Sequence, residues 1–163
     1  MMNIGVVGTG KMGSAIFKLL SARPVNITVL AISQEEAEEN RQKCLKGLKR
    51  HVKRGRITEE EYARKKESLR FTHRIGDLAS CDLVIEAIFE DYDAKVNLFR
   101  ELESVVSEKT ILTTNTSSIS IRRLSDTLRH KERFCGLHFF HPVLLIAMAE
   151  IIRRPDTRVE LIA

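Results

Sequence analysis

Ile4-Gly5-Val6-Val7, followed at once by Gly8-Thr9-Gly10-Lys11-Met12-Gly13, sets a short apolar run against a glycine-rich turn. The run reads as a buried strand, and Ser14-Ala15-Ile16-Phe17-Lys18-Leu19-Leu20 beyond the turn has helical periodicity. Pro24 closes that unit, and Asn26-Ile27-Thr28-Val29-Leu30-Ala31 reads as a second strand. Strand, turn, helix and strand in this order are what a parallel sheet requires. Gly8, Gly10 and Gly13 fit G-x-G-x-x-G. The first glycine permits the tight turn, the second lets backbone approach a pyrophosphate, and the third lets helix pack on strand. Backbone amides at the helix start then face the anion. Glycine clusters also make ordinary turns. A strand before and a helix after supply the context that a dinucleotide site demands, so the turn is read as one.

Working outward, residues 34–54 are long, polar and helical; Gly55 breaks them, and Thr58 with Glu61 forms a capping box that starts another helix. Together, residues 34–68 are expected to form a helical hairpin protruding after the second strand. Further strands are predicted at 69–72, 81–87, 110–114, 133–139 and 148–152, with helices over 91–106 and 121–128. The helix from 91 repeats apolar residues at Val96, Phe99, Leu102, Val105 and Val106. Alternation of this kind predicts a doubly wound, Rossmann-type α/β fold with a mostly parallel sheet, residues 1–163 forming one dinucleotide-binding domain.

Composition narrows the function classes. A hydrophobic share of 43% and a charged share of 30% are ordinary for a soluble globular protein. No apolar run approaches the ~20 residues of a membrane span, and the first strand begins too early for a signal peptide, so a cytoplasmic protein without membrane partners is expected. Cys44, Cys81 and Cys135 lack CxxC spacing, which argues against a disulfide framework or a zinc site. The 27 Lys and Arg outnumber the 22 Asp and Glu, favouring anionic partners.

The dinucleotide fingerprint also expects an acid at the end of the second strand, where it accepts hydrogen bonds from the adenosine ribose. Ala31 occupies that place, followed by Ile32, Ser33 and Gln34. Either another group grips the ribose or affinity for NAD is reduced, and NADP stays open because no carboxylate would repel its extra phosphate.

Gly136-Leu137-His138-Phe139-Phe140-His141-Pro142-Val143 puts an imidazole at the end of a predicted strand, where open α/β sheets bind ligands. A histidine there can accept an alcohol proton as hydride leaves, and Glu150 can hold its tautomer. Taken alone, the same residues fit slightly better a histidine packed among aromatics and a surface glutamate.

Four segments resemble the L-3-hydroxyacyl-CoA dehydrogenases: the glycine turn with Met12 inside it, Val84-Ile85-Glu86-Ala87-Ile88-Phe89-Glu90, Thr114-Asn115-Thr116-Ser117-Ser118-Ile119, and Gly136 to Val143. Their order and spacing agree along essentially the whole chain. The resemblance implies an NAD-dependent oxidoreductase of fatty acid metabolism that interconverts L-3-hydroxyacyl and 3-ketoacyl thioesters of CoA or acyl carrier protein. It makes His138 the catalytic base, Glu150 its paired carboxylate, and Ser117 a serine touching substrate and nicotinamide. It places Thr9, Met12, Ala87, Glu90, Lys95 and Asn115 along the cofactor with the three glycines. His141 stands where the family usually has asparagine, and is expected at the substrate. Asparagine offers a donor and an acceptor, whereas neutral histidine offers one of each in a bulkier ring.

Arg41, Lys43, Lys46, Lys49, Arg50, Lys53, Arg54 and Arg56 form a basic run free of Asp and Glu. It is a solvated face or, as the resemblance implies, a hairpin gripping the coenzyme A nucleotide, with Arg54 at substrate. A nucleic-acid surface is the weaker reading, because no binding motif or interleaved aromatic set accompanies the charge. The family's helical, dimerising second domain has no counterpart before Ala163, so a truncated chain is expected. A non-catalytic nucleotide-binding module is the rival, and a homodimer the expected assembly.

Overall fold

The computed structural model describes residues 1–146 and 148–158. Along the chain run β1 (Asn3–Val7), α1 (Lys11–Leu20), β2 (Asn26–Leu30), α2 (Gln34–Lys53), α3 (Glu59–Ser68), β3 (Leu69–Thr72) and β4 (Leu83–Glu86). Then follow α4 (Tyr92–Val105), β5 (Ile111–Thr114), α5 (Ile121–Ser125), β6 (Phe134–Phe139), α6 (Val143–Ile146) and β7 (Ala149–Ile152). The strands form one sheet in the order β3-β2-β1-β4-β5-β6-β7. All neighbours are parallel except β6 and β7. The order reverses beside β1: the chain builds outward through β2 and β3, then returns to place β4 on the other side. A crevice therefore opens beyond the carboxyl ends of β1 and β4, where doubly wound sheets take their ligands.

Successive strand residues point to opposite faces, so each strand feeds two cores. Val7, Val84, Leu112 and Phe134 pack with Val96, Phe99 and Leu102 of α4 and with Leu124 of α5. Val6, Ile27, Val29 and Ile85 pack with Ile16 and Phe17 of α1 and with Val143 of α6. Being covered on both faces is why these strands read as continuous apolar runs rather than as alternating ones. Edge-to-face contacts of Phe99 with Phe134 (centroids 4.9 Å apart) and Phe17 with Phe71 (5.5 Å) fill the two layers.

Both expected helices after β2 form. α2 ends in a Schellman motif: Gly55, at φ +63°, donates to Val52 O, and Arg56 donates to His51 O. α3 begins in the predicted capping box, with Glu61 N donating to Thr58 Oγ1 (3.1 Å) and Thr58 N to Glu61 Oε2 (2.8 Å). The pair is anchored to the sheet, since Cys44 and Leu48 of α2 pack on the same core as Leu69 and Phe71 of β3. Lys65 of α3 donates to Ser21 O just beyond α1. The end of the chain, where a second domain would attach, lies outside the described residues.

Candidate active site

The glycine turn links β1 to α1. Gly8 has φ +106°, and a Cβ there would come within 2.6 Å of Ala87 O. At Gly13 a Cβ would lie 2.1 Å from Gly8 O, so helix and turn can touch only if that residue is glycine. At Gly10 a Cβ would meet nothing within 4 Å, leaving space for a ligand to approach the backbone. Side chains cap α2, α3, α4 and α5 through Ser33, Thr58, Asp91 and Ser120, whereas α1 starts at Gly10 with no side-chain cap and no acid in its first turn. Uncapped amides with the positive end of a helix dipole fit a diphosphate.

A polar network occupies the ends of β4 and β5. Glu86 is fully buried, Lys95 is 1% exposed, and their side chains meet at 2.5 Å. Glu86 also accepts from Ile88 N (2.8 Å) and from the Thr114 hydroxyl. Lys95 reaches on to Glu90 at 3.3 Å. Glu90 in turn holds the next loop, accepting from the Thr116 hydroxyl, from the amides of Ser117 and Ser118 (3.1 Å each) and from Ser118 Oγ (3.0 Å). Partial burial works against its charge, but the bonds from Thr116 and Ser118, with Lys95 beside it, outweigh this and hold its pKa down to about 2.

A folded pKa of about 2 lies below the ordinary value of 4.5. The loop's tether is therefore fully present above pH ~4.5 and is lost as pH falls through the folded value. Hydrogen exchange at the Ser117 and Ser118 amides should accordingly show a base-catalysed rate with constant protection from pH 7 to 5. Protection should drop only towards pH 2 to 3; loss centred near 4.5 would show that Glu90 does not hold the loop.

Asn115 Oδ1 accepts from Phe139 N (2.8 Å), locking this loop to the end of β6. His138, on β6, is the direct cross-strand partner of Glu150 on β7. Its Nδ1 lies 3.8 Å from Glu150 Oε2, in ion-pair range but longer than a hydrogen bond. Nε2 lies 3.0 Å from Ser117 Oγ. The imidazole is thus held between a carboxylate at one nitrogen and a hydroxyl at the other, and its ring packs edge-on against Phe140 at 4.9 Å. Antiparallel pairing brings the twelve-residue separation of His138 and Glu150 into register, which a parallel sheet could not do with so short a connection.

Two adjoining cavities run along the carboxyl ends of the strands and share Ala87 and Ile88. One, of about 250 Å³, is lined by Met12, Glu90, Lys95, Asn115, Ser117 and Ser118. The other, of about 430 Å³, is lined by Gly8, Thr9, Gly10, Ala31, Ile32, Glu36 and Phe89. Together they contain every position expected along a dinucleotide except Gly13, which supports the turn from behind.

Two expected substrate residues stand apart. His141 is exposed in the turn after β6, and among the described residues no hydrogen bond joins it to His138, Ser117 or Glu150. Arg54 caps the far end of α2, which at 1.5 Å per residue puts it roughly 30 Å along that helix from the glycine turn. Nearer residues of the basic run, Arg41, Lys43, Lys46 and Lys49, line a groove of about 490 Å³ with Tyr62 and Lys66 of α3. Sequence reasoning gave Glu86 no role, although a carboxylate ending the apolar run Leu83-Val84-Ile85 was a visible signal of a buried partner.

A family model described as the NAD-binding domain of 3-hydroxyacyl-CoA dehydrogenase matches residues 3–163. The chain belongs to that family. Its cofactor class is accordingly NAD, in agreement with the open Gly10 and the uncapped start of α1. Among curated 3-hydroxyacyl-CoA dehydrogenase relatives, the 3-hydroxybutyryl-CoA dehydrogenase of Mycobacterium tuberculosis is 38% identical over 151 residues, covering 92% of this chain and 53% of that protein. The crystal structure of 3-hydroxybutyryl-CoA dehydrogenase from Escherichia coli superposes with a TM-score of 0.90 at 34% identity, over 99% of this chain and 34% of that one. That of (S)-3-hydroxybutyryl-CoA dehydrogenase from Ralstonia eutropha gives 0.88 at 32% identity, over 99% and 57% respectively. The chain thus spans about half the length of the mycobacterial 3-hydroxybutyryl-CoA dehydrogenase it matches.

Proposed function

We propose that this chain supplies the cofactor and proton-transfer half of an L-3-hydroxyacyl thioester dehydrogenase, acting on CoA or acyl-carrier-protein thioesters. The observation that carries the proposal is the pairing of His138 with Glu150 across β6 and β7, with Ser117 Oγ 3.0 Å from the opposite ring nitrogen. Glu150 beside Nδ1 favours the tautomer with its proton there, which leaves Nε2 as an acceptor. A substrate hydroxyl near Ser117 then gives its proton to Nε2, and Glu150 stabilises the resulting imidazolium. Bound NAD supplies the acceptor for the hydride that leaves the same carbon. In the reverse direction His138 returns the proton to the ketone oxygen while Ser117 orients it. Glu90 and Lys95 take no proton in this scheme; they fix the loop that presents Ser117.

The α2–α3 hairpin, with its basic groove, suits the phosphates of the acyl carrier. A cytoplasmic homodimer is the matching assembly: all three cysteines are free, and Leu144, Leu145, Ile146 and Met148 leave an apolar strip exposed beside the site. Among the described residues no helix is long and apolar enough to cross a membrane.

A second reading is a nucleotide-binding module without turnover, favoured by Glu150 being exposed and 3.8 Å from His138 Nδ1, longer than the hydrogen bond that would fix the imidazole. Following NADH absorbance with acetoacetyl-CoA separates the two. The dehydrogenase reading expects consumption by the wild type; tight NADH binding without consumption would leave the module.

A further inference from the structure

The strand-end acid that normally grips the adenosine ribose is absent, and Ala31 in its place is buried. Five residues on, in the first turn of α2, Glu36 turns its carboxylate back over the strand ends. Oε1 accepts from Thr9 Oγ1 of the glycine turn (2.5 Å), and Oε2 accepts from Ile32 N (3.0 Å). Helix capping does not explain this aim. Ser33 Oγ caps Glu36 N (3.1 Å), but in a capping box the glutamate would answer at the N-cap amide, and Glu36 reaches past it. Its carboxylate instead lines the larger cavity beside Gly8, Gly10, Ala31 and Phe89. A carboxylate offers about four acceptor positions, and two are used here. The bond from Thr9, then that from Ile32, lower its pKa against partial burial, with Lys43 adding to the effect, so it is ionised at neutral pH.

We propose that Glu36 replaces the missing strand-end acid, accepting the 2′-hydroxyl of the adenosine ribose of NAD and excluding the 2′-phosphate of NADP. The assignment rests on the dinucleotide reading of the glycine turn. A phosphate on the 2′ oxygen would set like charges together where a hydrogen bond is otherwise made. Arg70 on neighbouring β3 and Arg74 just beyond it both turn to the one carboxylate of Asp77, at 3.0 and 2.9 Å, which directs their guanidinium groups there rather than to the ribose.

Dissociation constants for NADH, NADPH and the 2′-deoxyadenosine analogue of NADH, read by fluorescence titration, test the assignment without any turnover. For the wild type the analogue should bind about 10-fold more weakly than NADH, the loss expected for one hydrogen bond to a charged group, and NADPH weaker still. Glu36→Ala should weaken NADH to the level of the analogue while leaving the analogue unchanged, and should narrow the gap to NADPH. Adding Ala31→Asp to Glu36→Ala should restore discrimination, which controls for a loosened turn. If Glu36→Ala weakens NADH and the analogue equally, or neither, Glu36 merely supports the turn and the assignment is wrong. Absence of binding for all three ligands to the wild type would overturn the dinucleotide reading as well.

Discussion

Alanine at position 138 should lower kcat for NADH-dependent reduction of a 3-ketoacyl thioester about 1,000-fold, within the range that a positioned acid or base contributes, with NADH affinity unchanged within about twofold. The separation follows from placement. His138 touches Ser117 and faces Glu150, but lines neither cavity along the strand ends, so its removal takes away the proton acceptor and leaves the nucleotide's seat intact. Steady-state kinetics beside a fluorescence titration measure both quantities. A His138→Ala variant that keeps most of its kcat would remove the imidazole from the chemistry. One that loses NADH binding in proportion would make the residue structural instead.

The largest stability effect is expected at Lys95. Replacing it with methionine strands the Glu86 carboxylate, which is fully buried, without its cation. Removing one partner of a buried pair costs about 3–5 kcal/mol, and for a domain of this size each kcal/mol lowers Tm by ~2–4 °C. A fall of roughly 10 °C is therefore expected in a thermal melt. Making Glu86→Gln as well should recover most of it, since an amide can still accept from Ile88 N and no charge is left unpaired. If Lys95→Met melts within a degree or two of the wild type, the pair is not the keystone of the β4–β5 loop. The same variant should loosen Glu90, which Lys95 reaches at 3.3 Å, and through it the loop carrying Ser117.

The fold was legible because its determinants are local. The apolar run of β1, the three glycines and the periodicity of α1 lie within about twenty consecutive residues, and double burial leaves its mark on the central strands β1 and β4. Thr58 and Glu61 made their capping box as expected because its hydrogen bonds span three residues. The candidate site was less legible. The residues put His138 near a strand end and offered Glu150 as its partner, though taken alone they slightly favoured a packed histidine; the pairing depends on β7 running back along β6, which no local pattern encodes. Glu86 and Lys95 meet across a strand and a helix, and Glu36 finds Thr9 across 27 positions; such partners are set by tertiary packing and leave no spacing to read. The hairpin shows the reverse limit, for its basic charge and the length of α2 were plain in sequence, while the distance of Arg54 from the glycine turn emerged only once Glu36 placed the start of that helix beside Thr9.

A crystal structure of the chain with NAD and a 3-hydroxyacyl thioester would measure the decisive distance, from the substrate hydroxyl oxygen to His138 Nε2. We expect about 2.6–3.2 Å, hydrogen-bond reach for a general base, with Ser117 Oγ on the same oxygen and the nicotinamide in the cavity between Met12 and Asn115. A nicotinamide seated away from that cavity, or an imidazole that turns from the hydroxyl while NAD is bound, would contradict the assignment of His138, Glu150 and Ser117 to the reaction.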